Sequence, residues 1–330
     1  PRLTGRRPKH ARRNPLGPSC RRLPGWPIVG DEFATPDRAT FFELNRTRLR
    51  AWCWGDPEAP PVVLVHGAYD HGRTWDGLAP RLVELGFHAV AIDVRGHGDS
   101  GRLSSGMAWN ACTIDLCELA RVLARAPDTA IGMIGHSMGG GQILTAAATT
   151  PERFAWLVNL DGLGPPAEGF VHDDVVDVTT RSLDEIDKHR RHPPRPWASL
   201  DQLAERRGAI NVRLPRPFLE HLVEHGTRAV DGGFVWKWDP TFRTGVPDGF
   251  SLELILAQYR HVAAPTLVLV SSEEDAWTEV HDDEAERRVA MLVDGRLESV
   301  PGAGHYVHVE QPDFVLDRIT RFLDEIGARP

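Results

Sequence analysis

Lysine is almost missing from this chain. Lys9, Lys188 and Lys237 are the only three among 38 basic residues, a skew that reads as codon bias and says nothing of function. Cysteine is also sparse. Cys20, Cys53, Cys112 and Cys117 show no metal-ligand spacing, and Cys112 and Cys117, five apart on one expected helix, share a face poorly. Reduced structural thiols and a cytoplasmic setting are therefore expected, with no metal and no cofactor. No apolar run approaches the roughly 20 residues that a membrane-spanning helix needs, which excludes a membrane span. Acids are absent from the first 25 residues, which hold eight basic ones, so the rest of the chain carries −16 of a net −8. An acidic body of this kind argues against nucleic acid as a partner.

What the sequence does contain suits one large α/β unit with an insert: 330 residues, 41% hydrophobic and 25% charged. Residues 1–27 are rich in Arg, Pro and Gly and lack apolar periodicity. They are expected to form a basic, disordered tail, and they lack the apolar core of a secretory signal. From residue 40 strands and helices alternate. "TFFELN" and "RLRAWCWG" read as a hairpin, and "PVVLVHG", "FHAVAIDVRG", "TAIGMIG" and "FAWLVNLDG" as buried strands. "TWDGLAPRLVELG", "ACTIDLCELARVLARA" and "MGGGQILTAAATT" are helices between them. The alternation lapses over 165–250, which holds prolines, aromatics and a Gly-Gly turn, and then resumes with strands "APTLVLVSS" and "RLESV" and a closing helix. The expectation is an eight-stranded, mostly parallel sheet flanked by helices. Residues 28–164 and 251–330 form its core, and 165–250 form a helical sub-domain inserted after the sixth strand.

Within this frame "GHSMGG" at 135–140 places Ser137 between Gly135 and Gly139, at the junction of a strand and a helix. A sharp turn there forces a strained backbone and leaves no room for side chains two positions either side, hence the glycines. The serine oxygen is lifted clear of the sheet, at a helix N-terminus that favours developing negative charge. A hydroxyl in that position needs a base. An imidazole suits the task, and this chain has 15 histidines, among them His305 in the Gly-bounded loop "GAGH" after the last strand and His308 three residues on.

Five stretches taken together resemble the α/β-hydrolase superfamily, specifically its lid-bearing serine hydrolases related to C–C-bond hydrolases, epoxide hydrolases and small esterases. They are "HGAYDHGRTWD" (66–76), "DVRGHGDS" (93–100), "GHSMGG", "SSEEDAW" (271–277) and "GAGHYVHVEQPDFV" (302–315). The resemblance spans about residues 40–330. It implies Ser137 as nucleophile, His305 as base and a carboxylate to orient the imidazole. Asp275, after the strand "APTLVLVSS", has the usual location for that acid. Asp161, after "FAWLVNL", is the alternative. The backbone N–H groups of Ala68 and Met138 are the implied oxyanion donors. His66 and His97 are expected to bond backbone and brace the site rather than react. The insert is expected to act as a lid. Its Trp197, Trp236 and Trp238 either line a substrate pocket or pack within the insert's own core. Epoxide hydrolases and dehalogenases carry aspartate where this chain has Ser137, so those activities are disfavoured.

The leading functional expectation is a metal-free serine hydrolase of carboxylic esters, lactones or thioesters, acting through an acyl-enzyme on a small apolar substrate. Two alternatives stand beside it. One is a C–C-bond hydrolase of a diketone from aromatic catabolism, for which a lid arginine such as Arg191, Arg195 or Arg213 would hold a substrate carboxylate. The other is a hydrolase-like small-molecule binding protein with vestigial turnover.

Overall fold

The computed structural model describes residues 33–102, 109–126, 129–165, 175–192, 195–240, 252–277, 280 and 282–330. The basic stretch 1–27 lies outside the described residues. The main sheet has eight strands in the order β1-β2-β4-β3-β5-β6-β9-β10. Their ranges are Arg38–Leu44 (β1), Thr47–Trp54 (β2), Pro61–Val65 (β3), His88–Ile92 (β4), Ile131–His136 (β5), Phe154–Leu160 (β6), Thr266–Ser271 (β9) and Gly295–Val300 (β10). β1 and β2 are an antiparallel hairpin, β2 is antiparallel to β4, and the other pairings are parallel. β3, β4 and β5 are buried at every residue. That is why they read as unbroken apolar runs: helices cover both faces of a parallel sheet.

Two apolar layers hold those helices. One face of the sheet packs α2 (Trp109–Leu123), α3 (Met138–Thr149), α7 (Leu252–Tyr259) and α8 (Asp282–Val289) through Leu116, Ile143, Leu144, Tyr259 and Val289. The other packs α1 (Ala79–Glu84) and α10 (Pro312–Glu325) through Leu82, Ile319 and Phe322. Pro127, which follows α2 in the sequence and has no N–H to continue a helix, falls outside the described residues. The small side chains of α3 let it lie close to the sheet, and Ala146 and Ala147 are fully buried.

Between β6 and β9 the chain leaves the alternation, as the composition over 165–250 implies. It forms α4 (Val175–Arg191), α5 (Leu200–Gly208), α6 (Arg216–Gly226) and a small hairpin of β7 (Thr227–Val230) and β8 (Gly233–Trp236). The hairpin turn is Gly232-Gly233, with φ of +87° and +139°, values that glycine adopts without steric cost. The insert does not own its core. Leu203, Phe218, Leu222 and Val223 bury themselves together with Tyr306 and Val309 of the main unit. Trp197 and Trp236 pack against that same cluster.

The sheet order decides which loops meet. Parallel strands deliver their C-terminal ends to one edge. β5 and β6 are neighbours, so Ser137 after β5 stands next to Asp161 after β6. The Ser137 N–H donates to the Leu160 carbonyl at 2.9 Å, and the Asp161 N–H to the Leu269 carbonyl at 2.8 Å.

Candidate active site

Ser137 occupies the turn from β5 into α3 with φ 53° and ψ −121°. This left-handed strain on a non-glycine residue is held by its surroundings. A Cβ on Gly135 would come within 2.5 Å of the Gly139 carbonyl oxygen, and one on Gly139 within 2.2 Å of the Val65 carbonyl oxygen. Both glycines are therefore required by close backbone approach. Gly162 is required as well, because a Cβ there would sit 2.3 Å from the Ser137 carbonyl oxygen.

His305 follows β10 and is 4% exposed. Its Nδ1 lies 2.7 Å from Asp161 Oδ2. The sequence reading prefers Asp275 for this ring; the carboxylate that the structure sets at Nδ1 is Asp161. The Asp275 carboxylate accepts instead from backbone: Oδ2 from the His305 N–H at 2.8 Å and Oδ1 from the Trp277 N–H at 2.7 Å. Both acids thus serve His305, one at its ring and one at its main chain. The physical reason is the sheet order, which sets β6 between β5 and β9. Asp161 has φ 49°. Asn159 braces its turn, accepting from the Gly162 N–H at 2.8 Å and donating to the Gly162 carbonyl at 3.0 Å. The second Asp161 oxygen accepts from the N–H and hydroxyl of Ser271 at 3.0 and 3.2 Å. The carboxylate is 5% exposed and held from three sides.

Gly67, Ala68, Asp70, His136, Ser137, Arg207, Trp277, His305 and Tyr306 line one cavity of about 230 Å³, measured out to its solvent mouth. Ala68, expected as an oxyanion donor, is therefore beside Ser137, and Met138 begins α3 directly after it. Trp197, Trp236 and Trp238 are not in that wall among the described residues. Trp197 bridges Phe234 in the insert. Trp236 stacks on Trp238 at 6.4 Å, and Trp238 meets Tyr69 edge-on at 5.2 Å. The tryptophan that does line the cavity is Trp277.

The neighbouring histidines have structural posts. His66 accepts the Val94 N–H on Nε2 at 2.9 Å, and its Nδ1 lies 2.7 Å from the Gly67 carbonyl. His97 accepts the Tyr69 N–H at 3.3 Å. His136 bonds the His305 carbonyl at 2.9 Å and so helps fix that loop. Burial pushes His66 and His136 well below the ordinary imidazole range, and His97 down to about 4. His308 is buried, stacks on Trp75 at 4.7 Å and is pushed down by burial to about 3.

Three residues in the cavity wall carried no signal strong enough to be singled out. Asp70, 2% exposed, accepts from Tyr306 OH at 3.0 Å and from Arg207 Nη2 at 2.9 Å. Arg207 Nη2 also donates to Tyr306 OH at 2.8 Å. Burial raises the Asp70 carboxyl to about 6, against the pull of Arg207. Asp70 was visible only as an acid inside "HGAYDHG", and Arg207 looks like any arginine on an amphipathic helix. Of the arginines considered for a substrate carboxylate, Arg213 is bound to Glu310 at 2.6 Å and to the Gly302 carbonyl at 2.6 Å, where it braces the His305 loop. Among the described residues no group of three or more His, Cys, Asp or Glu is placed to hold a metal ion. No helix among them is long and apolar enough to cross a membrane.

Residues 62–318 match the model of the alpha/beta hydrolase family. A probable serine hydrolase of Drosophila melanogaster is 26% identical over 288 residues, covering 84% of this chain and 85% of that protein. The esterase YbfF of Escherichia coli strain K12 is 28% identical over 275 residues, covering 80% of this chain and 93% of the other. Among solved structures, a thioesterase domain from the curacin biosynthetic pathway superposes with a TM-score of 0.74 at 22% identity, covering 86% of this chain and 99% of that one. That last likeness speaks to the fold alone.

Proposed function

Because this chain belongs to the α/β-hydrolase family and has serine hydrolases among its relatives, we propose that it cleaves carboxylic esters, lactones or thioesters with Ser137 as nucleophile, His305 as base and Asp161 as the orienting acid. The observation that carries this reading is the 2.7 Å contact of His305 Nδ1 with Asp161, beside a strained serine in the same cavity.

The chemistry follows from which nitrogen is engaged. With Nδ1–H donated to Asp161, Nε2 is the ring nitrogen whose lone pair serves as the base. It takes the Ser137 proton as Oγ attacks the carbonyl carbon. The tetrahedral oxyanion is stabilised by the N–H groups of Ala68 and Met138, each such donor typically worth about 3–4 kcal/mol. Asp161 stabilises the imidazolium without taking its proton. The imidazolium then protonates the leaving alcohol or thiol. Water enters, gives its proton to Nε2, and attacks the acyl-enzyme, which releases the acid and restores Ser137. Asp275 has a different task in this scheme, holding the main chain of His305 in place.

The cavity beside Ser137 is small even with its open mouth included, which favours compact substrates. The insert serves as a lid in this reading, since α5 brings Arg207 into the cavity wall. An esterase relative supports ester bonds as the target. The test is acylation by a fluorophosphonate probe, run with burst release from a chromogenic ester. Labelling of the wild type at Ser137 with a stoichiometric burst is the expected result. A folded protein that shows neither is a binding protein, and the proposal falls.

A further inference from the structure

Arg207 is the cationic residue of the cavity wall, and its hydrogen-bonding capacity is only partly used. Nη2 serves both Asp70 Oδ1 and Tyr306 OH. Nε is buried with no hydrogen-bond partner, on a residue that is 9% exposed. A buried N–H left without an acceptor is costly, and such groups in native structures ask for an explanation. The two partners are engaged with each other as well as with Arg207. Tyr306 OH donates to Asp70 and accepts from Arg207, while the two Asp70 oxygens already accept from Tyr306 and Arg207. The group of this cluster that is buried without a partner is a donor, the Arg207 Nε–H, on a residue that lines the same cavity as Ser137 and His305.

Resting on the serine hydrolase reading above, we infer that Asp70, Tyr306 and Arg207 form a specificity subsite for an uncharged oxygen acceptor, a ketone or hydroxyl, on the substrate beside its scissile carbonyl. An acceptor is required because guanidinium nitrogens only donate. An uncharged one fits best because Asp70, at 2.9 Å, already balances the arginine charge. A substrate carboxylate would bring a second anion into a buried site beside Asp70, at a large desolvation cost. The Arg207 charge is thus set to polarise a neutral oxygen, and Asp70 is the element that discriminates against acids. Trp277 supplies an apolar wall to the same cavity, suited to the carbon skeleton between the two oxygens.

The experiment uses two matched ester series followed by proton release. In the acyl series these are methyl pentanoate, methyl levulinate and monomethyl succinate. In the alcohol series they are propyl acetate and acetonyl acetate. The expected result is that kcat/KM for the ketone exceeds that for its plain counterpart by about tenfold or more in at least one series, the usual worth of a buried hydrogen bond to a charged donor. Monomethyl succinate is expected to fall below methyl levulinate. In Arg207→Met the ketone preference collapses to within about twofold, whatever the remaining rate, because the donor is gone. In Asp70→Asn the ratio of succinate to levulinate rises by about tenfold or more, since the arginine charge is no longer balanced. That inversion is a readout that a merely structural role would not produce. Equal rates for ketone and plain esters in both series of the wild type overturn the inference without any variant. So does a ketone preference that survives in Arg207→Met. If Ser137 is labelled by fluorophosphonate while the ratios stay near one, only this inference fails. If there is no labelling and no ester is cleaved, the hydrolase reading fails and carries the inference with it.

Discussion

Ser137→Ala removes the oxygen and leaves its turn intact. The proposal expects a folded protein with kcat lowered by several orders of magnitude, in line with the roughly million-fold loss known for serine triads. An ester assay beside a thermal melt checks it. A variant that keeps a tenth of the wild-type rate would remove Ser137 from the mechanism. The two acids separate more finely. Asp161 bonds the ring of His305 and Asp275 its main chain. Asp161→Asn should cost about 10⁴-fold in kcat, because the amide favours the wrong imidazole tautomer. Asp275→Asn retains an oxygen able to accept the His305 N–H, so its loss should stay within about tenfold, the worth of one weakened hydrogen bond. Steady-state kinetics on both variants decide the ranking, and the opposite order would return the triad to Asp275. At this scale the serine and the histidine were legible, because each stands in a short motif whose spacing reflects local backbone geometry. The choice of acid was not. Asp161 and Asp275 both follow parallel strands, and nothing local tells which one reaches the ring.

The unit that matters at the next scale is the turn from β5 into α3. Its glycines are set by neighbouring backbone rather than by flexibility. A Cβ at position 139 would lie 2.2 Å from the Val65 carbonyl oxygen, an atom of the central strand that cannot step aside. Gly139→Ala should therefore push α3 away from the sheet and destabilise the protein by about 1–3 kcal/mol, the usual cost of overpacking. Activity should fall with it, because Met138, the proposed oxyanion donor, begins α3. A melting temperature equal to that of the wild type would show that the helix can yield. These strands and helices were readable from apolar runs and from the glycine pattern. The insert was readable only as a break in the alternation. Its tryptophans illustrate the limit, since period two told of a strand face but not of what that face meets. Trp236 meets the cluster around Phe218 and Leu222, while the wall of the cavity took its tryptophan from the loop after β9.

Burial of imidazoles sets the behaviour of the whole molecule in acid. His66, His71 and His136 are held well below 6.5, His97 at about 4 and His308 at about 3, in each case chiefly by desolvation. The unfolded chain binds protons at these rings below about pH 6.5, whereas in the folded chain His97 and His308 refuse them until about 4 and about 3, and burial makes His66, His71 and His136 resist them too. Their stabilising effect is thus complete above pH 6.5 and is lost as pH falls through that window. His97 and His308 each contribute on the order of 2 kcal/mol of loss by pH 5. Asp70 works in the opposite sense. Raised from 3.8 to about 6, it takes its proton first in the folded state, which favours folding as pH falls from about 6 toward 4. Asp93 and Asp115 are also raised by burial. The imidazoles outnumber these acids, so the melting temperature should drop from pH 7 to pH 5. His308→Phe, which keeps the stack on Trp75, should flatten that slope. An unchanged slope in calorimetry would show that His308 is not one of the groups responsible.

The insert belongs to this scale too. Its core is completed by Tyr306 and Val309, and it is pinned by Arg207 to Asp70 and by the Leu222 carbonyl to His71 at 2.9 Å. Deleting residues 195–240 should expose that apolar surface and drive aggregation. A soluble, cooperative variant in light scattering and melting would show that the main unit is self-contained.

Strands, hairpin, helix faces and the strained serine turn follow from local rules: apolar runs, periodicity and the glycines that backbone crowding demands. These rules act over a few residues, so they can be read along the chain. The acid that orients His305, the wall of the cavity and the partners of Arg207 follow from which strand lies beside which. β6 sits between β5 and β9, and so Asp161 reaches the imidazole from 144 residues away. Arg207 reaches Asp70 from 137 residues away, because α5 packs across the C-terminal edge of the sheet. Contacts over such separations depend on the packing of whole layers, and no short stretch of sequence encodes them.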